Sequence, residues 1–167
     1  MTRSSKLKSE KELKRRNGKL AERMEPYYHH LDLRPFSEMD DDAFAFIMAN
    51  VKGVNMLDLN ETEITNESIK LLPQLEYVTE LRAKGIRGIT DACGDDLNKI
   101  KGLEFLHVKN TGITIDGLLK LKDQHHLKTI LFSTSDVEAI KKKLLDLKTD
   151  HPACEFIIDG NPYHFDA

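Results

Sequence analysis

Apolar and polar positions alternate in a short string that returns at a near-constant interval along the chain. Its clearest copy is Leu103-Glu-Phe-Leu106-His-Val108-Lys-Asn-Thr111-Gly-Ile113, with apolar residues spaced L-x-x-L-x-L and a Thr-x-Ile turn behind them. Val54-Asn-Met-Leu57-Asp-Leu59-Asn-Glu-Thr62-Glu-Ile64 repeats that string, and Val78-Thr-Glu-Leu81-Arg-Ala83 and Leu127-Lys-Thr-Ile130-Leu-Phe132 repeat its first half. Weaker outer copies are Tyr28-His-His-Leu31-Asp-Leu33 and Ala153-Cys-Glu-Phe156-Ile-Ile158. The central residues Leu31, Leu57, Leu81, Leu106, Ile130 and Phe156 are separated by 26, 24, 25, 24 and 26 positions. Alternation of this kind predicts six short strands. Between strands the apolar spacing changes to a helical one, as in Ile69-x-Leu71-Leu72 and Leu118-Leu119-x-Leu121. Thr65, Thr90 and Thr114 stand where a hydroxyl caps a helix start, and Asp40, Asp41 and Asp42 read as another such start. Pro73 is expected to end the second unit's helix, and a regular helix is expected over 136–147.

Self-similarity over 20–30 residues is the mark of stacked repeats. The L-x-x-L-x-L strings and their Thr62-x-Ile64 and Thr111-x-Ile113 turns resemble the leucine-rich repeat family, closest to its ribonuclease-inhibitor-like units. The resemblance runs from Tyr28 to the C-terminus. It implies an α/β fold, a right-handed solenoid of about six rungs with a parallel sheet on the concave face and helices on the convex face. Three copies depart from the pattern. The first has Phe36 and the third Ile86 where others carry Thr, and the last has Asn161, whose side-chain amide is expected to serve its turn. The family's scaffold hosts unrelated partners, so it implies non-catalytic protein binding in general: an adaptor, an assembly factor or an immunity-type inhibitor.

Strand alternation places the residues between the leucines on the face opposite the core. The central column reads Asp32, Asp58, Arg82, His107, Leu131, Ile157, and the column before it His30, Met56, Glu80, Phe105, Thr129, Glu155. The column after it is Arg34, Asn60, Lys84, Lys109, Ser133, Asp159. The expected face is therefore acidic at Asp32 and Asp58, basic at its middle and apolar later, with Met56, Phe105, Leu131 and Ile157 exposed. Candidate protein-binding residues are Asp58, Asn60, Glu80, Arg82, Lys84, Phe105, His107, Lys109 and Leu131. Phe105 beside Arg82 is the type of pair that dominates binding energy.

Charge separates the first 25 residues from the rest. Residues 1–25 carry nine Lys or Arg against four Glu, a balance of +5, whereas 26–167 carry a balance of −8. Leu13, Leu20 and Met24 share one helical face there, so this segment is read as a cap over the first unit's core. The alternative is a basic arm, residues 1–23, that binds nucleic acid or an acidic partner. Other chemistry finds little footing. His29-His30 and His125-His126 are adjacent pairs whose rings diverge, His107 has no ligand at metal spacing, and Ser133 lacks an orienting acid. The nine glycines form no phosphate loop, so neither catalysis nor a cofactor nor a metal is expected. No apolar run approaches the ~18 residues of a membrane helix, and no secretory signal is visible. With two lone cysteines, Cys93 and Cys154, a reducing, cytoplasmic setting and a monomer are the expectation.

Overall fold

A computed structural model describes residues 10–36 and 38–165. It is an α/β structure built on one seven-stranded sheet whose strands lie in chain order. They are β1 (Tyr27–Asp32), β2 (Gly53–Asp58), β3 (Tyr77–Arg82), β4 (Phe105–His107), β5 (Thr129–Phe132), β6 (Glu155–Ile158) and β7 (Asn161–Pro162). The first six run parallel. β7 is antiparallel to β6, and its hairpin turns through Asp159 and Gly160 at φ 52° and 94°. The sequence pattern expects no seventh strand. Asn161 stands in it, exposed, as a ladder residue rather than in a turn.

Parallel neighbours must be joined by crossovers, and these carry the helices: α1 (Glu10–Ala21) before β1, then α2 (Asp41–Met48), α3 (Asn66–Ile69), α4 (Gly94–Leu97), α5 (Ile115–Leu118) and α6 (Val137–Asp150). The middle three are single turns. α3 stops at Ile69, before the position Pro73 was expected to enforce, and Pro73 instead opens a 3-10 turn, Leu72–Gln74. α6 is the regular helix the spacing predicts, capped by Asp136 and extending to Asp150.

The core is a set of parallel ranks. Leu31, Leu57, Leu81, Leu106, Ile130 and Phe156 are paired strand to strand in the register the repeat predicts, and all are buried. Leu33, Leu59, Ala83, Val108, Phe132 and Ile158 form a second buried rank beside them. Each such Leu removes enough apolar surface from water to stabilise the fold by about 1.5–3 kcal/mol. At the start of the sheet, Leu20 and Met24 pack against this core, and α1 lies on α2. The first nine residues of the basic segment lie outside the described ones.

Polar side chains tie each unit to the next. Thr65, Thr90 and Thr114 accept first-turn amides as expected, from Glu67, Ala92 and Asp116. Each also reaches backwards. Thr65 donates its hydroxyl to Asp41 Oδ2 at 2.6 Å and Thr114 donates to Asp91 Oδ2 at 2.7 Å, while the Asn66 amide donates to Thr90. Of the three acids read as a helix start, Asp40 is the cap and Asp41 is this staple. At Gly88 and Gly112 the backbones come so close that a Cβ would sit 2.8 and 3.0 Å from the carbonyls of Ile64 and Ile89. The buried Gln124 places its amide nitrogen 2.9, 2.9 and 2.7 Å from the carbonyl oxygens of Leu97, Asn98 and Ile100, closing the end of α4 from the following unit.

Leu106→Ala is expected to cost about 2–5 kcal/mol, because its rank is filled on both sides. Gln124→Leu, which orphans buried carbonyls, is expected to cost about 1–3 kcal/mol. Urea unfolding of each variant checks both, and an unchanged midpoint for Leu106→Ala would disprove the register.

Candidate functional site

The face opposite the core is assembled by register alone. Asp32, Asp58, Arg82, His107, Leu131 and Ile157 pair in one row, and His30, Met56, Glu80, Phe105, Thr129 and Glu155 in the row beside it. Two of the three columns read from the sequence are therefore rows of the sheet, and the third, from Arg34 to Asp159, lies in the turns beyond the strands. At about 4.8 Å per strand, six strands span on the order of 25 Å.

The acidic end differs from expectation. Asp58 is buried at 3% exposure, and its Oδ1 accepts the Asn60 amide at 3.1 Å. Arg34 grips Asp32 with two hydrogen bonds, 2.9 and 2.7 Å, and lies 3.4 Å from Asp58 Oδ2. That fork holds the Asp32 carboxyl below the usual carboxylate range. Asn60 Oδ1 accepts the Lys84 amide from the next turn at 2.7 Å. Asp58 and Asn60, expected as binding residues, also hold turns, since strand alternation reports facing and not occupancy by local hydrogen bonds. Beside them Asp32, Arg34, Asn60, Glu61 and Lys84 line an open polar depression of about 500 Å³.

The centre of the face agrees with expectation. The Arg82 guanidinium carbon lies 5.3 Å from the Phe105 ring centre, and Phe105 meets the His107 ring edge-on at 6.5 Å. Glu80 holds Arg82 through a single bond at 3.1 Å. Among the described residues, Lys84 has only the exposed Glu61 at 3.7 Å as its ion-pair partner. Arg82 Nε and His107 Nε2 are enclosed and carry no hydrogen bond among the described residues. Burial first, then the charges of Lys84, Arg82 and Lys109, depress the His107 pKa below its ordinary value near 6.5.

The apolar end is less open than alternation suggests. Met56, Phe105, Leu131 and Ile157 are all half-buried. The tail does not cross them; it pairs with the β6 edge and places Phe165 against Phe156, ring centres 5.8 Å apart. The clearly exposed large apolar side chains among the described residues are instead Tyr27 and Leu145. Tyr27 stacks near-parallel on Tyr77 at 6.4 Å and bonds Glu76, an aromatic pair at the strand entrance that the repeat pattern does not single out.

Other candidate chemistry is placed elsewhere. Ser133 Oγ donates to Asn110 Oδ1 at 3.1 Å and accepts the Asn110 amide, which commits it to a turn. Cys93 and Cys154 are buried and unpaired, their thiols pushed up to about 12 by burial. Among the described residues no group of three His, Cys, Asp or Glu is placed to hold a metal ion. No described helix is long and apolar enough to cross a membrane. No protein-family model matches the chain, and no curated protein matches its sequence.

The depressed pKa values of His107 and His151 fix a sign for pH. Below about pH 6.5 the unfolded chain takes up protons that the folded histidines refuse, so stability is full above that pH and falls as pH drops toward the lowered folded values. Urea unfolding between pH 8 and 5 should show this decline, and His107→Gln should make it shallower. An unaltered slope in that variant would show that His107 contributes nothing.

Proposed function

We propose that this chain is a leucine-rich-repeat solenoid that binds a protein partner through the outward, concave face of its sheet and catalyses no reaction. The repeat reading is supported by the near-constant interval, by strands lying in chain order and by the ladder of Thr and Asp side chains between units. The observation that carries the binding reading is the Arg82–Phe105–His107 group: three adjoining side chains on neighbouring strands, half-exposed, at the middle of the face. Arginine stacked on an aromatic ring gives large contact area with little rotamer freedom left to lose, the usual make-up of a binding hot spot. Glu80, Lys84, Lys109 and Leu131 form the surround, and the length of the face suits a folded protein better than a metabolite. Two buried lone thiols favour a reducing compartment such as the cytoplasm.

Pull-down from native extract with wild type and an Arg82→Glu/Phe105→Ala variant tests this reading. A protein held by wild type is expected to be lost by the variant, with circular dichroism unchanged. Equal retention by both would refute the face as the site. Retention abolished by nuclease, and by deletion of residues 1–23, would assign binding to the basic segment and to nucleic acid instead.

A further inference from the structure

The middle of the face is a positive centre inside a chain of net charge −3. Arg82 ends β3, Lys84 lies in the turn after it, His107 ends β4 and Lys109 lies in the turn after that, so the four sit at equivalent places on two adjoining strands. Their acids are few. Glu80 engages one nitrogen of Arg82, exposed Glu61 stands 3.7 Å from Lys84, and Asp58 is occupied by Asn60 and Arg34. No ion pair is formed by Lys109 among the described residues. By contrast the neighbouring Asp32–Arg34 pair is closed on itself. A concentration of cationic donors with incomplete internal compensation attracts an anion and gains charge-assisted hydrogen bonds from it.

Resting on the face reading above, we propose that the partner is recognised by an acidic side chain next to an apolar one. Its Asp or Glu carboxylate is taken by Arg82, Lys84, His107 and Lys109, and its apolar neighbour lies on Phe105 and Leu131. A protein carboxylate, rather than a polyanion, fits because the cationic centre is small and is bordered directly by half-buried apolar side chains on β4, β5 and β6. The same site is proton-linked. The groups facing His107 are Arg82 and Lys84 from the β3 side, Lys109 from its own turn and Asp58 from β2. Burial and then these cations disfavour the imidazolium, and a bound carboxylate offsets the cations, so His107 takes up a proton from solvent as the ligand binds. Affinity therefore rises as pH falls from 8 to 6.

The test uses the labelled full chain and two probes, N-acetyl-Leu-Glu-Leu-amide and N-acetyl-Leu-Gln-Leu-amide, followed by NMR. The Glu peptide is expected to shift the Arg82 side-chain and His107 ring signals and to bind about tenfold more tightly than the Gln peptide, about 1.4 kcal/mol. Lys84→Gln, at an exposed position, should reduce that preference severalfold, and His107→Gln should abolish its growth toward pH 6 while leaving a preference at pH 8. Equal binding of the two peptides, shifts confined to other surfaces, or no shift with either at about 10 mM would overturn the proposal. So would a single-stranded oligonucleotide that moves the same signals more strongly than the Glu peptide. Failure here together with a pull-down partner that is lost in Arg82→Glu/Phe105→Ala would leave the face as the site and remove only its acidic ligand.

Discussion

Residue-for-residue register between parallel strands is the constraint on which the rest of this structure depends. A slip of one position anywhere would turn an entire strand over, sending a leucine to solvent and a charge into the core. Here Leu57 has Leu31 on one side and Leu81 on the other, and the same holds along the rank to Phe156. Hydrophobic packing alone would tolerate some sliding. The side-chain staples between units do not: Asp41 to Thr65 and Ser68, Asn66 to Thr90, and Asp91 to Thr114 each fit one offset. The turns after β2, β3 and β4 add to this, with Glu61, Gly85 and Asn110 all in left-handed backbone at matching positions.

The face inherits its organisation from that register, and its two halves then diverge by local chemistry. Near β1 and β2, acids meet Arg34 and backbone amides at short range, and little charge is left to act outward. Across β3 and β4, cations accumulate faster than acids, and an aromatic ring holds one of them in place. Charge that is neutralised locally builds the fold, while charge left uncompensated is available to a partner.

Register and the two outward columns that lie within strands were legible in the sequence because each depends only on a two-residue alternation and a near-constant interval. Asp136 and the threonine caps were legible for a similar reason, since their effect is confined to one turn of chain. What was not legible involves contacts across units. Nothing local distinguishes Asp58, buried under Asn60 and Arg34, from Arg82, which stays half-exposed, or marks Asp41 as a staple rather than a cap. Nor does alternation show that Leu131 and Ile157 are half-buried. The β6–β7 hairpin is not legible from alternation, because Asp159-Gly160 sits within an irregular tail with only two ladder residues. Its one local signal is the Asp-Gly pair itself, a common hairpin turn.

Gln124 gives the repeating chain a direction of assembly. Its amide satisfies carbonyls of the preceding unit at the end of α4, whereas one crossover earlier the Leu75 carbonyl takes the Lys101 ammonium of the following unit instead. The units are therefore alike in outline but not interchangeable parts. Transposing or duplicating the unit that holds α4 without the one that follows would take the Gln124 amide away from the carbonyls at the end of α4, the Ile100 carbonyl among them. Any lengthening or shortening of the chain by whole repeats would have to keep that pair together, so its natural module is two units rather than one.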